Sequence, residues 1–465
     1  MKNKILILSG LFFLGSCNST TTTKTDNESI NPKDKEIFLN DLKHRTFNFF
    51  WDLADSVNYQ IPDRYPNKTF ASIAATGFGL STYLIGIENK YITREQGAER
   101  VLTTLRWLYN SVQGPDKTNT AGYRGFYYHF LTNNEGFRFK DVELSTVDTG
   151  LLMAGILSCQ SYFDGNNDQE KEIRDLADKL YLRVEWDWAM NGQKVMTMGW
   201  HPESGFINCN WIGYTEAMVL VVLAMGSPTH PIAEDAWSSW CKTYKWADFY
   251  GYEHINFESL FGHQYSHMFI DFKGIQDSYM RSKGIDYFEN SRRATLSNRA
   301  YCIKNPGNFN AYSDTIWGLT ACDGPADTTI SFKDKNVIIR TYSARGASVQ
   351  YIVDDGTIAP TAAGGSIPFA PEECISTLMA MKNTYGDHLY SQYGFKDSFN
   401  PSFVTKKYPN GWFDKDYLGI DQGPIIIQLE NYQTGLIWNL MKKNKYIVNG
   451  LKRAGFKGGW LENAE

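Results

Sequence analysis

The chain of 465 residues carries 46 Lys+Arg against 51 Asp+Glu, a formal net charge of −5, and is rich in aromatic side chains, with 13 Trp, 28 Tyr and 28 Phe. A composition 42% hydrophobic with only 15 Pro can close a large core and excludes disordered or collagen-like chains. The negative balance excludes nucleic acid as a partner, because a phosphate backbone needs a basic, counterion-releasing surface.

Met1 to Lys4 form a short basic start and Ile5 to Leu14 an apolar run, ended by Gly15-Ser16-Cys17. This run is too short to span a bilayer as a helix and reads as a lipoprotein export signal, with Cys17 as the lipidated residue. Residues 1–17 are expected to be the signal, 18–34 a Thr/Ser/Asn-rich tether, and 35–465 a single catalytic domain. Loss of Lys2 and Lys4 would take the charge from −5 to −7. No acidic cluster follows Cys17, which favours an exported, periplasm-facing anchor whose only membrane contact is the lipid. The remaining cysteines, Cys159, Cys209, Cys241, Cys302, Cys322 and Cys374, form no CxxC pair, and free buried thiols are as well supported as a disulfide framework.

Asn31-Pro32 is a cap and first helical position, after which Leu39, Leu42, Phe49, Phe50 and Leu53 recur at helical spacing on a half-wet helix. Ser72 to Ile87, by contrast, has no charged face and should be buried all round. The alternation continues with a charged helix opened by the capping box Thr93/Gln96, an apolar one over Leu144–Cys159, an amphipathic one over Gln169–Val184 and an apolar one over Tyr214–Met225. Pro231–Tyr244, Phe261–Met280, Asp286–Ile303, Asn310–Leu319, Glu372–Thr384 and Pro424–Met441 complete about twelve. Wet and dry helices in turn predict an all-α fold, an (α/α)6 toroid of six inner and six outer helices. Outer-to-inner connections such as Val112–Leu144 are long and the reverse ones short, so the long loops and short β-hairpins gather on one rim, where function is expected. Thr320–Pro371 is an insertion on the plain side or a piece folded over the mouth, with strands expected at Val337–Tyr342 and Val349–Val353.

Carboxylates at the starts of dry helices are costly to bury and so are candidate catalytic groups. Asp148 lies in Ser145-Thr146-Val147-Asp148, where it also reads as part of a capping box. Glu216 precedes the apolar run Ala217–Ala224; it reads either as a cap or as a desolvated general acid with a raised pKa. Asp421 precedes Pro424-Ile425-Ile426-Ile427; the helix N-terminus should favour its ionised form, as a cap or a base. Counting round the ring, the inner helices of Glu216 and Asp421 are third and sixth, hence opposed, as an inverting glycosidase requires to admit a water between carboxyls roughly 6.5–9.5 Å apart. Asp141 and Glu143 lie upstream of Asp148 on the same rim. His263, His267 and Asp271 at i, i+4, i+8 read as a polar stripe facing a sugar-filled cavity rather than a metal site. His129, in the hairpin Gly122–Phe130, and the rim-loop aromatics Trp200, Trp211, Tyr214 and Trp412 are expected sugar contacts, because aromatic planes stack on the apolar faces of sugar rings. Each also reads as ordinary packing. Neutral glycans are the expected substrate class, with no cofactor and no obligate protein partner.

Five stretches carry a family resemblance: Gly125–Phe130, Gly213–Ala217, Phe261–His267 (with Gln264 among them), Asp355–Ser366 and Gly419–Pro424. They resemble the bacterial glucoamylase-like proteins of glycoside hydrolase family 144, which act on β-1,2-glucans. The resemblance implies an (α/α)6 barrel and an inverting mechanism without a required metal; Glu216 is expected to be the acid, with Asp421 or Asp148 as base. It is greatest to the exo-acting kind that releases sophorose from non-reducing ends; an endo-β-1,2-glucanase is the alternative. A polysaccharide lyase, using Tyr or His as base on a uronate, is disfavoured by the negative charge, and a non-catalytic glycan-binding lipoprotein is the third reading.

Overall fold

The computed structural model describes residues 31–464, so Cys17 and the rest of the expected signal and most of the expected tether lie outside the described residues. Among those described, the helices are α1 Pro32–Leu53, α2 Ile73–Glu88, α3 Arg94–Asn110, α4 Thr146–Tyr162, α5 Asp168–Leu182, α6 Met218–Gly226, α7 Asp235–Trp240 and α8 Tyr265–Phe269. They continue as α9 Ser278–Lys283, α10 Tyr287–Lys304, α11 Pro360–Gly364, α12 Pro371–Tyr385, α13 Gly419–Gln433, α14 Leu436–Met441 and α15 Lys445–Arg453.

The dry helices form the inner ring of an (α/α)6 fold. α2 packs on α4, α4 on α6, α6 on α8, α11 on α13 and α13 back on α2. Gln264 bridges α8 and α11 by donating to the Ala362 carbonyl at 2.8 Å. Every residue of α6 and nearly every one of α2 and α4 is buried, as their uncharged sequences require. The wet helices lie outside. Asn31 caps α1 with Pro32 at its first position, and Thr93 and Gln96 complete the capping box of α3. The ring is closed by a buried ion pair between α1 and α13, Lys43 Nζ to Glu430 at 2.6 Å, with Asn89 bonded to both partners. No disulfide pairs the six described cysteines; four of them are buried thiols.

Four predicted helices differ. Phe261–Met280 is broken after Phe269, because the Asp271 carboxylate accepts the Lys273 N–H at 3.1 Å and Gly274 turns through φ +73°. Asn310–Leu319 is irregular. Pro231–Tyr244 keeps only α7 and one 3-10 turn, and α15, from the chain's end, covers α6 instead. The last begins at Gly419 rather than Pro424 and is interrupted at Gly435, φ +70°.

Short strands knit the elaborate rim. Ala71–Ser72, Leu144–Ser145 and Tyr417–Leu418 lead directly into α2, α4 and α13 and pair respectively with Phe130–Leu131, with both Phe126–Tyr128 and Gly199–His201, and with Arg64–Tyr65. The predicted hairpin turns at Arg124-Gly125, both with positive φ, the two-residue turn that matches strand twist. The 320–371 insertion makes three hairpins and folds over the mouth, where Asp323 meets Arg64 at 2.6 Å.

Helices α2 and α4 meet backbone to backbone. A Cβ on Gly155 would lie 2.1 Å from the Gly77 carbonyl oxygen. Gly155→Ala should therefore force the helices apart and cost about 3 kcal/mol, read as a lowered midpoint in urea unfolding with an unchanged slope.

Candidate active site

Glu216 sits in the turn before α6 and is half-buried. Burial pushes its carboxyl up to about 7, and the nearby Asp148 charge adds to the effect. Asp421 is 4% exposed in the first turn of α13. α6 is flanked by α4 and α8, and α13 by α2 and α11, which sets the two acids on different sides of the mouth. Two consecutive residues span the gap. Tyr265 donates its hydroxyl to the Ile420 carbonyl at 3.1 Å, and Ser266 donates to the Glu216 carbonyl at 2.7 Å while accepting the Val219 N–H. The Tyr265 hydroxyl lies in the field of Asp421, Glu216 and Asp148 together, so all three predicted acids share one site.

Asp148 is held as its sequence suggested: Ser145 caps α4, accepting the Asp148 N–H and donating its hydroxyl to the carboxylate. His129 joins it to Glu143. One ring nitrogen is 2.7 Å from the Glu143 carboxylate and the other 3.7 Å from that of Asp148. Burial would lower the imidazole, but the Asp148 and Glu143 charges outweigh it and hold it up at about 9. Beside it, Phe70, Phe130 and Phe139 stack with centroids 4.4 and 4.7 Å apart and are half-buried, an aromatic surface at the mouth absent from the sequence expectation.

The Asp421 side corrects one expectation. The helix N-terminus does not keep this carboxyl low; burial and the surrounding acids push it up. Asp397 and Asp414 lie close by, and Asp63, Asp323 and Asp416 gather round the Arg64 guanidinium. Among the described residues only Asp323, Asp397 and Asp414 group their oxygens as a cation site would, within 4.8 Å of one another; Arg64, bonded to Asp323, already supplies positive charge there. These acids come from loops rather than inner helix starts, so no helical spacing marks them. Tyr342, half-exposed on the insertion, reaches the field of Asp421 and Asp397.

Most of the predicted sugar contacts point elsewhere. Because α8 ends at Phe269, His263, His267 and Asp271 share no face: His263 is buried against Tyr214, His267 meets Ser291 at 3.0 Å, and Asp271 pairs with Lys442 at 2.6 Å. Gln264 is buried between Ala362 and Ser366. Trp211 bonds Thr146 at 2.9 Å, Tyr214 stacks inside the core, and Trp412 packs on Ile339 and Phe403. Trp200 stacks on Tyr123 and Trp188. Asp141 is exposed on the rim and makes no hydrogen bond or ion pair with these groups.

Fold and site define a class, the (α/α)6 proteins with buried acids on different sides of a loop-built mouth. The Glycoamylase family model matches residues 208–445, just over half of the chain, and the chain belongs to that family. It is 27% identical over 94% of its length to the exo β-1,2-glucooligosaccharide sophorohydrolase (non-reducing end) of Parabacteroides distasonis, and spans 60% of that protein's length. It superposes with TM-score 0.79 on the endo-β-1,2-glucanase of Chitinophaga pinensis, at 29% identity, covering 92% of this chain and 99% of the other. A β-1,2-glucanase structure from Parabacteroides distasonis gives TM-score 0.78 at 27% identity, over 90% of this chain and 60% of the other.

A histidine raised to about 9 stabilises the fold fully below its ordinary value of 6.5 and loses that contribution as pH rises through about 9. Denaturant titrations across this range should show stability falling by about 1 kcal/mol, allowing for the ring's partial exposure, and His129→Gln should flatten the trend.

Proposed function

We propose that the chain is an inverting glycoside hydrolase of β-1,2-glucooligosaccharides, acting from the non-reducing end to release sophorose. The observation that carries this reading is the protonated-range carboxyl of Glu216, held near 7 by burial, with Asp421 on another side of the mouth. Glu216 gives its proton to the glycosidic oxygen as the bond to the anomeric carbon breaks. A water attacks that carbon from the opposite face and passes its proton to Asp421, leaving inverted configuration. Asp148, bonded to Ser145 and next to His129, supplies negative charge that keeps Glu216 protonated. The substrate assignment rests on the β-1,2-glucan enzymes to which the chain is similar. Exo action is supported by the sophorohydrolase relative and by the insertion folded against the Asp421 side; the similar Chitinophaga endo-enzyme favours internal cleavage as the second reading. In the cell the reading is of a protein tethered through a lipid on Cys17, facing the periplasm.

Incubation with β-1,2-, β-1,3-, β-1,4- and α-linked glucooligosaccharides, with products separated by chromatography, should yield sophorose from the β-1,2 series alone. A ladder of lengths at early times would mean endo action, and no product from any series would overturn the hydrolase. Glu216→Gln should lower kcat by about 10²–10⁴-fold while leaving oligosaccharide binding measurable by calorimetry. Because the acid must carry its proton, wild-type turnover should fall as pH rises through about 7.

A further inference from the structure

Three phenylalanines at the mouth serve no core. The rim aromatics Trp200, Trp211, Tyr214 and Trp412 each belong to an apolar cluster or pack against one, whereas, among the described residues, Phe70, Phe130 and Phe139 belong to none. Their half-buried rings lean on one another, Phe70 lying 4.4 Å from Phe130 and 4.7 Å from Phe139 between centroids, and Phe130 stacks on His129 at 4.0 Å. The same hairpin buries Phe126, Tyr127 and Tyr128 completely, so it had core positions for its aromatics and left Phe130 outside them. A contiguous apolar patch that is kept in water and rimmed by polar groups marks a binding site.

The backbone fixes this row between the acids. Phe130 pairs with Ser72, which caps α2, and its carbonyl accepts the Phe139 N–H at 3.0 Å. The Phe70 carbonyl accepts the Asp63 N–H at 3.0 Å, and the Asp63 carbonyl accepts the N–H of Gly419, two residues before Asp421, at 2.7 Å. At the other end the His129 ring lies 3.7 Å from the Asp148 carboxylate. The row is therefore set before any ligand arrives and pays little to be ordered. Polar groups border it: His129 and Glu143 have side chains 31% and 29% exposed, and the exposed Lys140 holds its Nζ 5.1 Å from the Phe139 ring.

A purely apolar ligand would strip water from Glu143 and Lys140 without pairing them. A pyranose ring meets both demands, with C–H faces for the phenylalanines and hydroxyls for the charged border. We propose that Phe70, Phe130 and Phe139 form a subsite that takes one glucosyl ring of the substrate, its apolar face on the phenylalanines and its hydroxyls toward Glu143 and Lys140. The identity of the sugar rests on the glucan-hydrolase reading; the row itself does not.

Calorimetry with a purified β-1,2-glucooligosaccharide, on the full chain carrying Glu216→Gln to slow turnover, reads the subsite directly. Adding Phe70→Leu, which keeps apolar bulk but removes the aromatic plane, should weaken Kd about tenfold, and Phe139→Ala should do the same. Phe70→Tyr keeps the plane and should stay within about threefold. In the otherwise wild-type enzyme the loss should appear mainly in KM rather than kcat. Unchanged affinity in Phe70→Leu and Phe139→Ala, with or without altered self-association on gel filtration, would overturn the subsite, as would equal losses in Phe70→Leu and Phe70→Tyr. A readout that holds even where these variants fail to fold uses deuterated Glu216→Gln protein with protonated phenylalanine. Saturating the ring protons should pass magnetisation to the sugar C–H protons, and no transfer would sink the proposal. Hydrolysis with an affinity indifferent to the row removes the subsite and leaves the hydrolase; binding through the row without any hydrolysis by the wild-type chain removes the hydrolase and leaves the subsite.

Discussion

The site depends on one tandem of side chains, Tyr265 and Ser266. A tyrosine and the serine after it grip the backbone beside Asp421 and at Glu216, so two segments more than two hundred residues apart in sequence are set by a dipeptide. A hydrogen bond to a buried carbonyl is worth about 1 kcal/mol net, but its value here is geometric. The proposed inverting reaction would tolerate little error in the separation of acid and base, and the first turn of α8 sets that separation.

Charge is distributed unevenly around that turn. On one side Glu216 is alone in apolar surroundings with only Asp148 near, so desolvation dominates and favours the neutral acid. On the other, several acids crowd Arg64, so mutual repulsion adds to burial in pushing the carboxyls up. The His129–Glu143–Asp148 group lies between these regimes, with a cation balanced by two carboxylates. One mouth thus offers a donor, an acceptor and a neutralised wall, as acid–base chemistry on an uncharged substrate demands.

The ring was legible from sequence because its signal is local. The absence of charge along α2, α4 and α6, and the caps at Asn31 and Thr93, are properties of single segments, and the position of three acids at inner helix starts was read the same way. What failed was every inference that extended a period through a break. The i, i+4, i+8 spacing of His263, His267 and Asp271 meant something only if the helix ran on, and Asp271 itself ends it by capping Lys273. The rim aromatics differ for another reason: Trp211 and Tyr214 lie in long loops but turn into the main core, and Trp412 packs in a small cluster with Ile339 and Phe403. Asp397, Asp323 and Asp414 were invisible because nothing in a polar loop marks a carboxylate that a distant hairpin will later bury.

The buried pair of Lys43 and Glu430 has a consequence for how the molecule is made. It closes the ring between the first helix described and the last inner one, segments separated by almost the whole chain, so closure pays a large loop entropy and comes late. α2, α4 and α6 can pack by neighbouring contacts, but α6 takes its cover from α15 and Glu216 its backbone anchor from Ser266 of α8. The Asp421 side lies on α13 and waits for the closing step. Both sides of the mouth are therefore completed by segments made late, and the circle and the site are finished together.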